Sequence, residues 1–301
     1  MVDWYVHLEK IGSGGLADVY KVKHGLTGQI FAKKILRVPD KDNLVRFRRE
    51  RDYYQEQVSN RHVIDVFDSK LEGPAPYLIL AYSPLGSLQK FVSNREDWKR
   101  IAGWVCDIAI GLSPTHQRGG FHGDPKPSNF LRFPDKSGGE YVVIIDFGLG
   151  QRPKLASGPM TRSPRGTPEY MDPDLNNGGP YTWRHDIYAL GVTMRELLTG
   201  SRTKSLFLPA PLPGPLELGR LIDRMTGPIY SRPTLSEIYR TLRSILNPIQ
   251  VPALATQASG VGWLIVGLVT AAVAYATSNT YDPKVDRFRD SKGRFKGGRW
   301  D

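Results

Sequence analysis

In the stretch FHGDPKPSNFLRF, residues 121–133, an aspartate (Asp124) stands two positions before a lysine (Lys126) and five before an asparagine (Asn129). A second stretch, VVIIDFGLG at residues 142–150, ends an apolar run on another aspartate, Asp146, followed by Phe147 and Gly148. Carboxylate and amide oxygens are hard donors for a cation such as Mg2+ (or Mn2+). A carboxylate with an ammonium close by can also take a hydroxyl proton while the cation offsets charge on a transferred group. Together these residues suit chemistry on a hydroxyl beside the phosphates of a nucleotide.

Two stretches upstream have the make-up to hold phosphates. IGSGGLADVY places Gly12 and Gly14 between two strand-like runs, where bare backbone N–H groups can approach anionic oxygens. From these residues alone a glycine hairpin turn reads equally well. No Gly-Lys-Ser/Thr follows, so the loop is not of the Walker type. FAKK, residues 31–34, puts Lys34 fifteen positions after Val19 and two after Ala32. A single strand lysine is ordinarily a solvated one.

Taken in order, these motifs resemble the serine/threonine branch of the eukaryotic-type protein kinases, from about Tyr5 to Leu246. The resemblance implies ATP as the nucleotide and a protein bearing Ser or Thr as the substrate. It makes Asp124 the group that accepts or orients the hydroxyl proton, with Lys126 steadying the phosphoryl group. Asn129 and Asp146 become the metal ligands. Lys34 would neutralise the α/β-phosphates, held by a carboxylate on the next helix, Glu50 by preference and Glu56 as the alternative. Gly12, Gly14, Val19, Ala32, Leu80 and Ala81 would form the nucleotide pocket, with backbone groups of residues 81–83 meeting adenine.

The departures from the pattern are specific. Ala17 replaces a third glycine. Gly123 stands where the family has an arginine that pairs with a phosphorylated loop, and Pro125 replaces an apolar residue. In GTPEYMDPD, residues 166–174, Asp172 replaces Ala and Asp174 replaces Glu. The resemblance implies a buried ion pair between Asp174 and Arg232, weakened by the shorter acid. Thr167 fits the serine/threonine branch. Asp186 matches an aspartate that braces the catalytic loop, and it also reads as a plain helix N-cap. Ser157, Thr161 and Ser163 lie near Arg162 and Arg165 but, without the arginine at 123, read as an ordinary polar loop.

Around these motifs the chain reads as strands over residues 1–80, broken by one charged helix with Leu44, Phe47, Tyr54 and Val58 on its apolar side. Residues 87–200 read as mainly helical, ending on a helix capped by Gly200. A proline-rich connector covers residues 208–215, and helices resume at ELGRLIDRM and LSEIYRTLRSIL. The 301 residues carry a net charge of +11, spread along the chain, and a single cysteine, Cys106. One cysteine excludes an intrachain disulfide framework and reads as a small buried apolar residue. The N-terminal MVDWYVHLEK lacks a basic region before an apolar core, so it does not read as a secretory signal.

Residues 260–277, GVGWLIVGLVTAAVAYAT, form an uncharged run of eighteen. As a helix it spans roughly 27 Å, near the lower limit for a bilayer. Trp263 and Tyr275 lie near its two ends, and Gly267 with Ala271 would let helices approach closely, a route to self-association. The tail beyond it carries seven basic and four acidic residues. It suits an anionic lipid surface, and its aromatics would suit nucleic acid, but a solvated tail is the plainer reading.

The expectation is therefore an α+β, two-lobed kinase-like fold over residues 1–247, with a small antiparallel-sheet lobe to about residue 80 and a larger helical lobe from about 84. A linker (248–259), a transmembrane helix (260–277) and a basic tail (278–301) follow. The expected function is ATP-dependent phosphorylation of protein Ser/Thr, with the domain in the cytoplasm and the chain anchored in a membrane. A catalytically weak kinase-fold scaffold and a small-molecule kinase are the alternatives.

Overall fold

The computed structural model describes residues 4–57, 59–92, 96–147, 166–177, 180–202, 212–248, 280–282 and 287–289. Its contacts divide into two units, Met1–Arg243 and Ser244–Asp301. The first contains a five-stranded antiparallel sheet of β1 (Tyr5–Ser13), β2 (Ala17–His24), β3 (Ile30–Leu36), β4 (Val66–Lys70) and β5 (Tyr77–Ala81), in the order β1-β2-β3-β5-β4. Strand alternation sorts its residues onto two faces. Val22, Phe31 and Ile79 are buried on one, packed by Tyr5, Tyr20 and Tyr77. On the other, the register sets Val19 opposite Lys34 and Ala32 opposite Leu80, so these four share a face. The turn between β2 and β3 falls at Gly-Leu-Thr-Gly, residues 25–28, with Gly28 at φ 72°.

Helix α1 (Lys41–Glu56) starts at Asp40, whose side chain accepts the Asn43 N–H at 2.8 Å. Its buried face is Phe47, Glu50, Tyr53 and Tyr54. This differs from the expected apolar side, because a carboxylate and two phenols occupy it. Val58 lies outside the described residues.

The rest of this unit is α2 (Trp98–Gln117), β6 (Phe130–Pro134), β7 (Glu140–Ile144), α3 (Trp183–Thr199), α4 (Leu216–Met225) and α5 (Leu235–Leu246), of which the last three residues fall past the division at Arg243. Ile101, Val105, Ile108 and Leu112 of α2 and Leu190, Met194 and Leu197 of α3 are buried at helical spacing. The β6–β7 hairpin is a short sheet inside the region expected to be mainly helical. Both strands are only five residues long, and they pair residue by residue from Phe130–Ile144 to Pro134–Glu140. Gly200 caps α3 in the left-handed conformation at φ 74°.

In the second unit, β8 (Thr280–Asp282) pairs antiparallel with β9 (Arg287–Arg289), within the stretch expected to be a solvated tail. The apolar run at 260–277, the linker from 249 on, Gly148, Ser157, Thr161 and Ser163 lie outside the described residues. Among the described residues no helix is long and apolar enough to cross a membrane.

Candidate active site

Lys34 on β3 and Glu50 on α1 meet on the sheet face that also bears Val19, Ala32 and Leu80. The ammonium lies 2.7 and 2.8 Å from the two Glu50 oxygens and 3.4 Å from Oδ1 of Asp146. Glu56, the alternative partner, sits exposed at the end of α1. One cation therefore faces two carboxylates, and the cluster carries one net negative charge. Burial alone would lower the Lys34 pKa, but Asp146 and Glu50 outweigh it and hold the ammonium above its ordinary range. At Glu50 burial wins, and its carboxyl is raised in spite of Lys34. At Asp146 the nearby Lys34 wins against burial and the carboxyl is lowered. Asp146 sits deep among these groups, yet its side chain is 45% exposed, so one side of the cluster is open.

The second cluster forms around Asp124. Lys126 Nζ lies 2.6 Å from Asp124 Oδ2 and donates to Thr167 Oγ1. The Thr167 N–H donates to Asp124 Oδ1 at 2.8 Å. Asn129 Nδ2 donates to the Asp124 carbonyl at 2.9 Å, which leaves the amide oxygen of Asn129 for a metal. The Ile145 N–H donates to the Asn129 carbonyl at 3.0 Å, so the segment ending in Asp146 is fastened beside Asn129.

Asp186 holds the loop that carries Asp124. Its carboxylate accepts the N–H groups of His122 (2.6 Å) and Gly123 (2.9 Å) and the Tyr181 hydroxyl (2.9 Å), with His116 Nε2 also at 2.9 Å. The residue is fully buried, which would raise its pKa, yet these partners, His116 foremost, hold it below the ordinary value. The N-cap reading of Asp186 is corrected: Thr182 caps α3, and Asp186 lies in the first turn. Gly123 has φ 94°, and Gly166 at φ 110° lies so close that a Cβ on it would sit 3.0 Å from the Gly123 carbonyl. The missing arginine thus coincides with a backbone shape that glycine adopts readily.

On the nucleotide side, Gly12 pairs with Val19 near the end of β1 and Gly14 sits in the turn to β2, where its N–H donates to the Ala17 carbonyl at 2.9 Å. A Cβ on Gly12 would meet only Val19, at an ordinary 3.6 Å, so the protein's own packing does not demand glycine there. Sequence reasoning missed Arg37, whose guanidinium donates to the carbonyls of Gly14 and Gly15 and pins the loop. Val19, Ala32 and Leu80 share the face that bears Lys34. The Ala81 N–H is committed to the Asp65 carbonyl at 3.1 Å, leaving only the carbonyl of Ala81 for a ligand.

The ion pair of Arg232 is also corrected. Its guanidinium takes both oxygens of Asp172, a side chain 1% exposed, and reaches the 42%-exposed Asp174 at 3.1 Å as a second contact. The buried partner is thus the aspartate at the family's alanine position. A recess of about 720 Å³ elsewhere, lined by Arg100, Trp104, Asp107, Glu140 and Arg243 among others, holds none of the groups above.

The chain matches the protein kinase domain family over residues 5–205. It is 29% identical over 200 residues to serine/threonine-protein kinase Pkn1 of Myxococcus xanthus, covering 64% of this chain and 28% of that one. It is 29% identical over 202 residues to pkn3 of the same organism, covering 63% and 36%. With serine/threonine-protein kinase PrkC of Bacillus subtilis it shares 29% over 201 residues, covering 65% and 30%. The matched region spans about a third of the length of these relatives.

Proposed function

Because the chain belongs to the protein kinase domain family, we propose that it transfers the γ-phosphoryl group of ATP to serine or threonine hydroxyls of a protein. The observation that carries this is the closed triangle of Asp124, Lys126 and Thr167. It holds a carboxylate in one orientation with a cation at its side. Asp124 would take or orient the proton of the incoming hydroxyl, and Lys126 would offset charge on the transferred group. Lys34, fixed by Glu50, would hold the α/β-phosphates. Catalysis of this kind comes from positioning and charge, with no covalent intermediate on the protein.

The donor set fits a hard divalent cation. Asn129 contributes an amide oxygen, Asp146 a carboxylate with an open side, and the cluster has one net negative charge to offset. When bound, Mg2+ (or Mn2+) would supply charge neutralisation of the phosphates.

The test is transfer from labelled ATP with Mg2+ to generic protein substrates and to the chain itself, with Asp146→Asn as the control. Phosphoserine or phosphothreonine that disappears in the control supports the proposal. A folded protein that binds ATP and transfers nothing would instead favour a scaffold role, and would turn attention to Gly123, Pro125 and Asp174.

Residues 260–277 are the basis of a second proposal, that the chain is anchored in a membrane with its kinase domain in the cytoplasm, where ATP is held. Eighteen uncharged residues with aromatics near both ends support it. Sedimentation with membranes that survives alkaline wash and is abolished by deleting 260–277 is the expected result. A washable or freely soluble full-length chain overturns it.

A further inference from the structure

We propose that the Tyr54 hydroxyl is a positioning group for metal-dependent nucleotide binding, tying the Glu50 carboxylate to the Asp146 backbone so that α1 and the metal-binding aspartate hold their working positions together. The inference rests on the kinase reading in one respect, that Asp146 ligates the metal.

The hydroxyl makes two bonds at once. It donates to Glu50 Oε1 at 2.7 Å and accepts the Asp146 N–H at 2.7 Å. Glu50 and Tyr54 are four residues apart, on one face of α1, so that first bond travels with the helix. The second crosses to a segment 92 residues away. A rotation of α1 that broke the Lys34–Glu50 pair would therefore also release the Asp146 amide.

Asp146 needs such a hold. It is the one non-glycine residue with positive φ (67°) among the described residues, a conformation that non-glycine side chains seldom adopt without support. Among the described residues its carboxylate has one cationic tether at under 4 Å, the long Lys34 side chain at 3.4 Å, and it is 45% exposed. The aim of that carboxylate is thus set mainly by its backbone, and Tyr54 holds the backbone.

The Tyr54 ring is confined as well. It is 2% exposed and meets Phe147 edge-on at 6.2 Å, while Tyr53 stacks on the Phe147 ring at 3.9 Å. The hydroxyl cannot swing away without unpacking Phe147. A phenylalanine at 54 would keep these ring contacts and remove only the oxygen.

The experiment compares Tyr54→Phe with the unsubstituted full chain. Three readouts are taken: hydrogen exchange of the peptide holding Asp146, Mg2+ dependence of ATP binding by calorimetry, and Mg2+ dependence of transfer. The loss of a hydrogen bond to a charged group is expected to raise the Mg2+ needed for tight nucleotide binding about tenfold and to speed Asp146 amide exchange by a similar factor. A purely structural role would lower the melting temperature and leave the Mg2+ dependence where it was, and that result overturns the proposal. In the unsubstituted protein the Asp146 amide should exchange as slowly as the last turn of α1. Exchange at the rate of an open loop also overturns it, whatever the variant's folding. If the unsubstituted chain binds Mg·ATP but transfers nothing, the kinase proposal fails and the binding arm still decides the role of Tyr54.

Discussion

Glu50 and Asp186 are both buried carboxylates, 3% and 0% exposed, but their surroundings push them in opposite directions. Asp186 collects donors from four residues, all supplied by its own chain, and its carboxyl is held low. Glu50 has one ammonium that it shares with Asp146, and one phenol, and burial keeps its carboxyl high. A carboxylate satisfied by fixed donors is a structural brace. One left undercompensated, in a cluster with net negative charge and an open side, is prepared for charge that arrives from outside. The two regions divide the work: α3 fixes the shape of the loop that carries Asp124, and α1 keeps the electrostatics around Lys34 adjustable.

The brace should be the costliest to remove. Asp186→Ala strands the N–H groups of His122 and Gly123 and the Tyr181 hydroxyl in a buried place, at about 4 kcal/mol. For a domain of this size that lowers the melting temperature by about 10 °C. Calorimetry checks it, and a shift within about 2 °C would remove Asp186 from the role of brace. Asp172→Ala should come next, at about 3 kcal/mol, because the half-exposed Asp174 would be the one carboxylate left to Arg232 among the described residues. Asp174→Ala should cost less than about 1 kcal/mol. Equal effects at the two positions would mean that Arg232 treats them as one site.

What could be read from the sequence follows the range of the interaction. Asp124, Lys126 and Asn129 were legible because their spacing is local, and the strands and helices that carry Lys34 and Glu50 announced themselves by periodicity. The choice of Asp172 over Asp174 was not, since it depends on which aspartate of a short turn faces an arginine about sixty residues away. Tyr54 looked like another apolar residue of α1, because a phenol's partner leaves no trace in hydrophobic spacing. Arg37 was missed for the same reason: its acceptors are backbone carbonyls, which every residue has. The β6–β7 hairpin escaped because five-residue strands between helices give the alternation too little length to show.

Glu50→Gln is the smallest perturbation to stability and the sharpest test of the contrast. Glutamine keeps an acceptor for Tyr54, drops a buried charge and leaves Lys34 to Asp146. Stability near neutral pH should stay within about 1 kcal/mol, while transfer falls by about 100-fold or more because Lys34 loses its fixed position. The pH dependence then gives the sign. The Glu50 carboxyl is raised above its ordinary 4.5, so folding favours its protonated form. That contribution is full below the unfolded value and is lost as pH rises through the folded one. Asp186, lowered from 3.8, contributes fully above that value and loses its contribution as pH falls through the folded one. The unfolding free energy of the unsubstituted protein minus that of Glu50→Gln should therefore fall as pH climbs from the acid limb, then level off. The same difference taken against Asp186→Asn should rise with pH before it levels. If the Glu50 difference also rises, Lys34 more than offsets the burial of Glu50, the carboxylate is a brace like Asp186, and the adjustable charge of the site must lie on Asp146 alone.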